Sequence, residues 1–256
     1  GAADGGVYKS ANKGEEWVQK AAVLTVAGRS ASIAGVNVIT LAADPQDPRA
    51  LYLGTAESGL WVSYDGAESW FSAGNLNRGR IPAVAVDAKS KCTIYAAFEN
   101  KVMKSTDCSR SYQGVYFDSR QGVTVSAVAV DSFDPKVVYA GLSTGDLLKS
   151  ADSGASWSPS FRFENPVRKI VIDHRDTRIV YVATAERGIW KTTNAGKDWT
   201  DVNDGLEKFS GAKTFRDMVI DRSATDTLVL ASQHGLLKTR DGGRNWEALR
   251  LLTPPG

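Results

Sequence analysis

Ser150-Ala-Asp152-Ser-Gly154-Ala-Ser-Trp157 is one of six copies of an eight-residue pattern, Ser/Thr-x-Asp/Asn-x-Gly-x-x-Trp, in this 256-residue chain. We call each copy a box. The acidic or amide residues of the boxes are Asn12, Asp65, Asp107, Asp152, Asn194 and Asp241, and they are separated by 53, 42, 45, 42 and 47 residues. A period of this length is typical of propeller blades built from four short strands. The sequence therefore predicts a repeat protein.

The repeat unit extends beyond the box. Each unit begins with an apolar strand that ends in Asp, and a polar turn and a second strand follow. The second strand has a Tyr at the same position in four units: Tyr52, Tyr95, Tyr139 and Tyr181. A Gly-containing bend leads into a third strand, the box forms the next turn, and its Trp starts a fourth strand. Short alternating strands separated by Gly, Pro, Asp and Ser are typical of antiparallel sheets.

The predicted fold is all-β, a β-propeller of about six four-stranded antiparallel blades in a single domain spanning residues 1–256. In a propeller, neighbouring sheets bury each other's faces and few strand edges stay open. The unit around the first box has only its third and fourth strands, so one blade is expected to be incomplete. The alternative is a seven-bladed ring whose N-terminal part is missing from this sequence.

The chemistry of the box predicts a structural role for Asn12, Asp65, Asp107, Asp152, Asn194 and Asp241. In a tight turn, an Asp or Asn side chain accepts hydrogen bonds from backbone N–H groups, and Gly adopts conformations that are costly for other residues. The Ser or Thr hydroxyl supplies a second local bond. We therefore expect these side chains to stabilise turns rather than to catalyse a reaction.

The six boxes resemble the Asp-box (BNR) repeat family, and the resemblance covers the whole chain. That family includes sialidases, xyloglucanase-like endoglucanases, sortilin-like receptors and photosystem II assembly factors. The stretch from Leu41 to Thr55, LAADPQDPRALYLGT, is most similar to the bacterial secreted and endoglucanase-like repeats. The resemblance implies a propeller whose ligand site lies on the face opposite the boxes. It implies no particular function, because the family contains both enzymes and binding proteins.

Composition narrows the classes of partner. The formal net charge is +2 with 23% charged residues, which does not favour a nucleic-acid-binding protein or a polybasic membrane-binding patch. No apolar run approaches the roughly 20 residues of a membrane span. The two histidines, His174 and His234, are isolated, so no metal site or other cofactor is predicted.

The two cysteines, Cys92 and Cys108, are predicted to form a disulfide. Cys92 opens the second strand of its unit and Cys108 lies in the turn after the third, so antiparallel pairing of these strands brings them together. A disulfide implies an oxidising compartment, and hence a secreted or periplasmic protein. The alternative is two free thiols in a reducing cell.

Candidate ligand groups are expected at the ends of the strands away from the boxes. The bends between second and third strands supply Glu57, Asp146, Glu186 and His234. Two long connections, residues 18–36 and 201–213, lie at the same ends. The last two units also carry charge at the start of their first strands: Arg168, Lys169, Arg216 and Asp217. An arginine pair there could hold a carboxylate or a phosphate. The alternative is that Lys169 and Asp217 pair with each other and the arginines bond to strand-end carbonyls.

The enzyme classes of the family fit these residues poorly. The sialidase pattern has one near match, Arg80-Ile81-Pro82, which follows the second box instead of preceding the first. A xyloglucanase-like site needs two acids across a cleft between two propellers, and this chain predicts one. Trp61 and Trp190 are expected in the blade core. The sequence favours a non-catalytic extracytoplasmic propeller that binds a protein partner, joins a larger complex or binds a glycan. The alternative is a glycoside hydrolase fragment or subunit that uses Glu57, Asp146 or Glu186.

Overall fold

The computed structural model describes residues 6–12, 14–20 and 33–249. The chain divides into two compact units, residues 1–130 and 131–256. Regular structure in the described residues consists of 22 β-strands, which form one two-stranded sheet and five four-stranded antiparallel sheets. Each four-stranded sheet is called a blade below.

The first unit begins with a two-stranded sheet, β1 (Tyr8–Lys9) and β2 (Val18–Gln19). The first blade contains β3 (Val38–Ala43), β4 (Leu51–Thr55), β5 (Leu60–Ser63) and β6 (Phe71–Ser72) in sequence order. The second contains β7 (Val84–Val86), β8 (Ile94–Phe98), β9 (Lys101–Ser105) and β10 (Gln113–Phe117).

The third blade contains β11 (Val125–Val130), β12 (Val138–Leu142), β13 (Asp146–Ser150) and β14 (Ser158–Arg162). The fourth contains β15 (Val167–Ile172), β16 (Val180–Thr184), β17 (Gly188–Thr192) and β18 (Thr200–Asp201). The fifth contains β19 (Phe215–Ile220), β20 (Leu228–Ser232), β21 (Gly235–Thr239) and β22 (Glu247–Ala248). Every blade follows the same up-and-down order.

The predicted number of about six blades is corrected to five. The all-β class and the four-stranded antiparallel unit are confirmed, but the unit around Asn12 contributes only β1 and β2 in the described residues. The structure does not show the seven-bladed alternative either. The expectation of one domain over residues 1–256 stays a prediction.

The second strands are the buried centre of the blades. Tyr52, Tyr95, Tyr139 and Tyr181 are at most 1% exposed. In the first unit one cluster joins Tyr52 and Leu60 of the first blade with Ile94 and Met103 of the second. A matching cluster in the second unit includes Tyr181 and Ile189 of the fourth blade and Leu230 of the fifth. Adjacent sheets therefore bury each other's faces, as the repeat predicts.

The boxes form one end of each blade. The N–H of the residue after the box Asp or Asn donates to the carbonyl oxygen of a residue just before the second strand. The five donor–acceptor pairs are Gly66–Arg49, Cys108–Cys92, Ser153–Lys136, Ala195–Arg178 and Gly242–Asp226, with N–O distances of 2.8–3.3 Å. The turn after the first strand and the turn that contains the box therefore lie at the same end of the blade.

The predicted disulfide is confirmed, since Cys92 and Cys108 are bonded. Cys92 and Cys108 occupy the pair of positions whose backbones are hydrogen-bonded in all five blades. The box beside them is the least regular one, with Ser109 at the Gly position and Tyr112 at the Trp position. Ser109 is left-handed, with a φ of 63°, and its hydroxyl contacts that of Tyr112 at 2.7 Å.

The bends between second and third strands and the connections between blades form the other end. In the first blade, Gly59 N donates to Gly79 O and Ile81 N donates to Thr55 O. In the fourth blade, Ala185 N donates to Pro166 O. This end carries the connections that differ in length between blades, and it contains the candidate site.

Candidate binding cleft

A cleft of about 910 Å³ lies at the end of the fourth blade opposite its box. All of its lining residues belong to the second unit. They come from four segments: β14 and the residues after it, the bend before β17, β17 and β18, and the connection from β18 to β19. The lining residues are Phe161, Arg162, Phe163, Glu164, Glu186, Arg187, Trp190, Asp201, Asn203, Asp204, Glu207 and Lys213. A volume of this size is in the range of ligand-binding clefts.

Asn203 holds the bend and the long connection together. It is 7% exposed. Its Oδ1 accepts from Ile189 N at 2.8 Å, and its Nδ2 donates to Arg187 O at 3.0 Å. Gly188, between these partners, has a φ of +83°, and a Cβ there would lie 1.8 Å from Asn203 Oδ1. Glycine is therefore required at this position because both the backbone conformation and the close approach exclude a side chain.

The connection that forms one wall, residues 202–214, is a series of turns. Its backbone bonds include Leu206 N to Asn203 O and Ala212 N to Phe209 O, at 2.8 and 3.0 Å. Leu206 and Ala212 are buried in the core shared by the fourth and fifth blades. Asp204 and Glu207 consequently project from an anchored wall and are exposed.

The floor of the cleft is aromatic. Phe163 is 2% exposed, whereas Phe161 and Trp190 are partly buried. The ring of Phe163 lies 4.9 Å from that of Phe161 and 5.6 Å from that of Trp190. The ring of Trp199 lies 6.1 Å from that of Phe161 and 5.3 Å from that of Phe163. The Nε1 donor of Trp190 is buried without a partner in the described residues. A buried donor without an acceptor is uncommon in native proteins.

Five carboxylates form the rim: Glu164, Glu186, Asp201, Asp204 and Glu207, all of them exposed. Arg187 pairs with Glu164 at 3.1 Å and Lys213 with Glu207 at 3.3 Å. Within the described part of the chain, Glu186 and Asp204 make no ion pair or side-chain hydrogen bond. The cleft therefore combines an apolar floor with a polar rim on which negative charge is in excess.

Of the acids predicted from sequence, Glu186 lies on the cleft and Asp146 lies beside it. Asp146 accepts from Thr144 Oγ1 at 2.7 Å and faces Arg162 Nε at 3.6 Å. Glu57 occupies the bend of the first blade and is exposed. The segments Ala56-Glu57-Ser58-Gly59 and Ala185-Glu186-Arg187-Gly188 are equivalent in the repeat, so Glu57 is the counterpart of Glu186.

The charged residues at the starts of β15 and β19 lie outside the cleft lining. Lys169 Nζ pairs with Asp217 Oδ1 at 2.6 Å, which is the pairing that the alternative interpretation predicts. Arg168 and Arg216 are exposed and sit at β-bulges, where the register shifts between Val167 and Lys169 and between Phe215 and Asp217. Neither arginine makes an ion pair or side-chain hydrogen bond to the described residues. The carbonyl bonds expected as their alternative role are not present there.

The two histidines are held by backbone carbonyls. His234 Nδ1 contacts Ser210 O at 3.2 Å, and its ring lies 5.0 Å from that of Phe209. His174 Nε2 contacts Arg222 O at 2.9 Å. The described residues contain no group of three His, Cys, Asp or Glu side chains arranged around a possible metal ion. They also contain no helix long and apolar enough to cross a membrane.

Sequence reasoning missed Phe161, Phe163 and Asn203. Phe161 lies on a fourth strand and Phe163 directly after it, and Asn203 is the only amide at the fourth position after the box Trp or Tyr. Both are visible departures from the repeat pattern. The pattern does not show how the fourth strand of one blade packs against the third strand of the next. This packing brings Phe161 and Phe163 into contact with Trp190.

The box carboxylates are occupied by the turn itself. In the third blade, Asp152 Oδ1 accepts from Ser150 Oγ and Ser156 N, both at 2.8 Å, and Oδ2 accepts from Ser156 Oγ at 2.5 Å. The Ser156 hydroxyl, followed by its N–H, lowers the pKa of Asp152 to about 2. Ser111 does the same for Asp107, whose pKa is lowered to about 2. This geometry agrees with a structural role for the boxes.

A second cleft, of about 580 Å³, lies in the first unit between the two-stranded sheet and the first blade. Its described lining is mainly apolar and includes Tyr8, Trp17, Ile39 and Leu41. Most of the predicted connection 18–36, namely residues 21–32, lies outside the described residues. No charged side chain is among its described lining residues, so it offers few groups that would orient a ligand.

No protein-family model matches the chain, and no curated protein matches it by sequence. Solved structures do. A GH74 enzyme from Niastella koreensis is 17% identical with a TM-score of 0.71, over 95% of this chain and 42% of that chain. An ancestral GH74 enzyme is 20% identical with a TM-score of 0.68, over 83% and 31%. YCF48 bound to D1 peptide is 14% identical with a TM-score of 0.60, over 83% and 68%.

The chain has a β-propeller fold. Identities of 14–20% support that statement and no finer one. The chain spans less than half the length of the GH74 structures. Since the similar structures include both enzymes and a peptide complex, the function has to be argued from the cleft.

Proposed function

We propose that this protein is a non-catalytic, extracytoplasmic binding or assembly propeller of the Asp-box family, which recognises a protein or a glycan through the cleft opposite the boxes. The observation that carries the proposal is the exposure of the five rim carboxylates. Exposed carboxylates of this kind form ion pairs and hydrogen bonds with a ligand that reaches the rim from solvent. The rim acids lie in water, and two of them are paired with cations.

The remaining features support recognition. Binding sites combine an apolar floor, which supplies contact area, with a few polar groups that orient the ligand. Phe161 and Trp190 supply the floor, and the rim supplies charge on several sides. The walls are fixed by Asn203 and by buried Leu206, so little ordering is needed when a ligand binds.

The disulfide supports the extracytoplasmic location. A bond between Cys92 and Cys108 persists in an oxidising compartment and is uncommon in the cytosol. Secretion or export to the periplasm is therefore part of the proposal. Arg168 and Arg216, whose guanidinium groups are exposed, remain proposed as a separate contact for an anionic group of the same partner.

A second candidate is a glycoside hydrolase fragment or subunit. The presence of Glu186 and four other carboxylates in one cleft favours it, because glycoside hydrolysis uses paired acids. Asp146 and Glu57 are weaker candidates for this reaction. Asp146 is occupied by Thr144 and Arg162, and Glu57 is not among the residues that line the cleft.

The test is capture of ligands from extracytoplasmic proteins and from a glycan array, using the immobilised chain. The cleft variant is Asp204→Lys, and the control is Glu57→Lys, which places the same charge change on an exposed acid in the bend of another blade. We expect a stoichiometric protein or glycan ligand that is lost with Asp204→Lys and kept with Glu57→Lys. The Arg168→Ala/Arg216→Ala variant then shows whether the arginines add a contact.

Two results would contradict the proposal. One is a ligand that both charge variants keep, which would remove the cleft from the function. The other is hydrolysis of a polysaccharide that Glu186→Gln abolishes, which would make the second candidate correct. Size-exclusion chromatography of each variant shows that a lost ligand does not reflect a misfolded chain.

A further inference from the structure

The rim of the cleft carries more negative than positive charge. Five carboxylates face three cations, and the cations are already engaged: Arg187 with Glu164, Lys213 with Glu207, and Arg162 with Asp146 at the edge. Glu186, Asp201 and Asp204 are left without a counter-charge in the described residues, and of these only Asp201 accepts a side-chain hydrogen bond, from Asn203 Nδ2 at 3.4 Å. A cleft with this charge repels anionic ligands and attracts cationic ones.

The floor of the cleft also favours a cation. A guanidinium or ammonium group is attracted to the face of an aromatic ring within about 6 Å of its centre, and tryptophan is the strongest partner. Trp190 and Phe161 present partly exposed rings beneath the rim. The protein uses the same interaction internally, with Lys149 over Tyr139 at 5.2 Å and Lys191 over Tyr181 at 5.1 Å.

The equivalent bend of the first blade shows that these features are not general properties of the repeat. Trp61, the counterpart of Trp190, is 7% exposed. Its Nε1 donates to Ser58 O at 3.0 Å. In the fourth blade Arg187 replaces Ser58, and the Trp190 donor has no partner among described residues. Trp190 thus lines a cleft whose rim carries uncompensated acids, whereas Trp61 is buried and its donor is satisfied.

We propose that the occupant of the cleft is a cationic segment of a partner protein, in which an Arg or Lys side chain lies over Trp190 and Phe161 while its charge faces Glu186 and Asp204. This inference rests on the proposed binding function and names the class of ligand. A neutral glycan would leave the two carboxylates without a counter-charge, and an acidic peptide would be repelled by them.

The experiment measures fluorescence anisotropy of a fluorescein-labelled peptide of alternating glycine and arginine, with a peptide of alternating glycine and glutamate as its counterpart. We expect saturable binding of the arginine peptide and none of the glutamate peptide. The Glu186→Gln/Asp204→Asn variant should bind roughly tenfold more weakly, because two rim charges are removed. Glu57→Gln should bind as the native protein does. Binding should weaken as salt is added.

A second variant separates the floor from the rim. Trp190→Leu keeps an apolar side chain and removes the aromatic face, so we expect affinity for the arginine peptide to fall several-fold while both carboxylates stay in place. Its far-UV circular dichroism and melting curve are compared with those of the native protein.

Three outcomes would overturn the inference: no saturable binding of the arginine peptide, equal weakening by Glu57→Gln, or unchanged affinity in the Glu186→Gln/Asp204→Asn variant. The last two would assign the binding to general surface charge. If the peptide fails but the capture experiment finds a glycan or an uncharged protein segment that Asp204→Lys releases, this inference is wrong and the proposed function stands. If neither experiment implicates the cleft, both are wrong.

Discussion

Trp61 in the first blade and Trp190 in the fourth occupy the same position of the repeat, and their surroundings differ. Trp61 packs against Leu53 and Trp70 and donates to the bend beside it. Trp190 packs against Phe161 and Phe163 and lines a cleft, with its donor unused. The bends before these two tryptophans carry equivalent glutamates, Glu57 and Glu186. What differs is the connection after the fourth strand.

In the first blade the N–H of Leu60 donates to the backbone carbonyl of Leu76, at 2.8 Å. In the fourth blade the equivalent N–H, on Ile189, donates to the side chain of Asn203, at the same distance. In the fourth blade the connection continues as a series of turns over residues 204–214, anchored by buried Leu206 and Ala212. The two blade corners therefore differ in the acceptor of this N–H and in the connection that follows.

The largest expected effect is on Trp61. Trp61→Ala removes a nearly fully buried indole and leaves its volume empty, so we expect the free energy of unfolding to fall by about 3–5 kcal/mol. Trp190→Ala should cost about 2 kcal/mol, since part of that ring already faces water. Urea denaturation of both variants measures the difference. Equal losses would show that the two corners are energetically alike.

The next effect concerns Asn203. Asn203→Ala deprives the buried N–H of Ile189 of its acceptor, and we expect a loss of about 1–3 kcal/mol in the free energy of unfolding. Asp204→Ala is the matched control, because Asp204 is the next residue in the chain and its exposed carboxylate has no partner in the described residues. Hydrogen exchange at Ile189 should accelerate in the first variant alone. Unchanged protection of this amide would mean that another acceptor replaces Asn203.

The boxes at the far ends of these two blades should respond differently to acid. Burial raises the pKa of Asp65, but hydrogen bonds led by those of Ser69 outweigh it, and the pKa is lowered from 3.8. The fourth blade has the amide of Asn194 instead. A carboxyl with a lowered pKa stabilises the fold fully above its unfolded value, and this contribution disappears as the pH falls through the folded value.

Asp65→Asn should therefore reduce the decline of Tm below about pH 4, and Asn194→Asp should steepen it. Melting curves recorded from neutral pH into this range test both variants. Parallel curves for native protein and Asp65→Asn would show that the Asp65 carboxylate does not contribute to acid unfolding. The other carboxylates, Asp107 and Asp152 among them, account for the decline of Tm that persists in Asp65→Asn.

The smallest expected effect is on the bend glutamates. Glu57→Gln and Glu186→Gln should each change the free energy of unfolding by less than about 0.5 kcal/mol, because both side chains are exposed. Only Glu186→Gln should change ligand affinity. A stability change confined to Glu186→Gln would indicate a structural contact that the two bends do not share.

The repeat pattern was sufficient to predict the blade. The repeat unit around each box predicted the strand order, and the positions of Cys92 and Cys108 predicted the disulfide. It overestimated the number of blades because a box alone marks two strands and not four. For the candidate site, the pattern indicated the end of the blades at which the cleft lies, and it indicated Glu186, which lines the cleft. The expectation that Trp61 and Trp190 are both core residues holds for Trp61, whereas Trp190 lines the cleft.

The remaining site residues depend on contacts between segments that no local pattern encodes. Phe161 of the third blade packs against Trp190 of the adjacent fourth blade. Asn203 accepts a hydrogen bond from the N–H of Ile189, fourteen residues earlier in the chain. The charged positions Arg168 and Arg216 were found because they interrupt the repeat. Departures from a repeat therefore identify individual residues but do not show which of those residues contact each other.

The disulfide has a consequence for protein engineering. It bridges one instance of a contact that recurs in all five blades, so the chain carries four further positions with the same backbone relationship and no cystine. Lys136 and Ser153, or Arg178 and Ala195, are such pairs. Each is a candidate position for an engineered cystine, and the turn would have to adapt, because Cys92 has a φ of 74° that its four counterparts do not share.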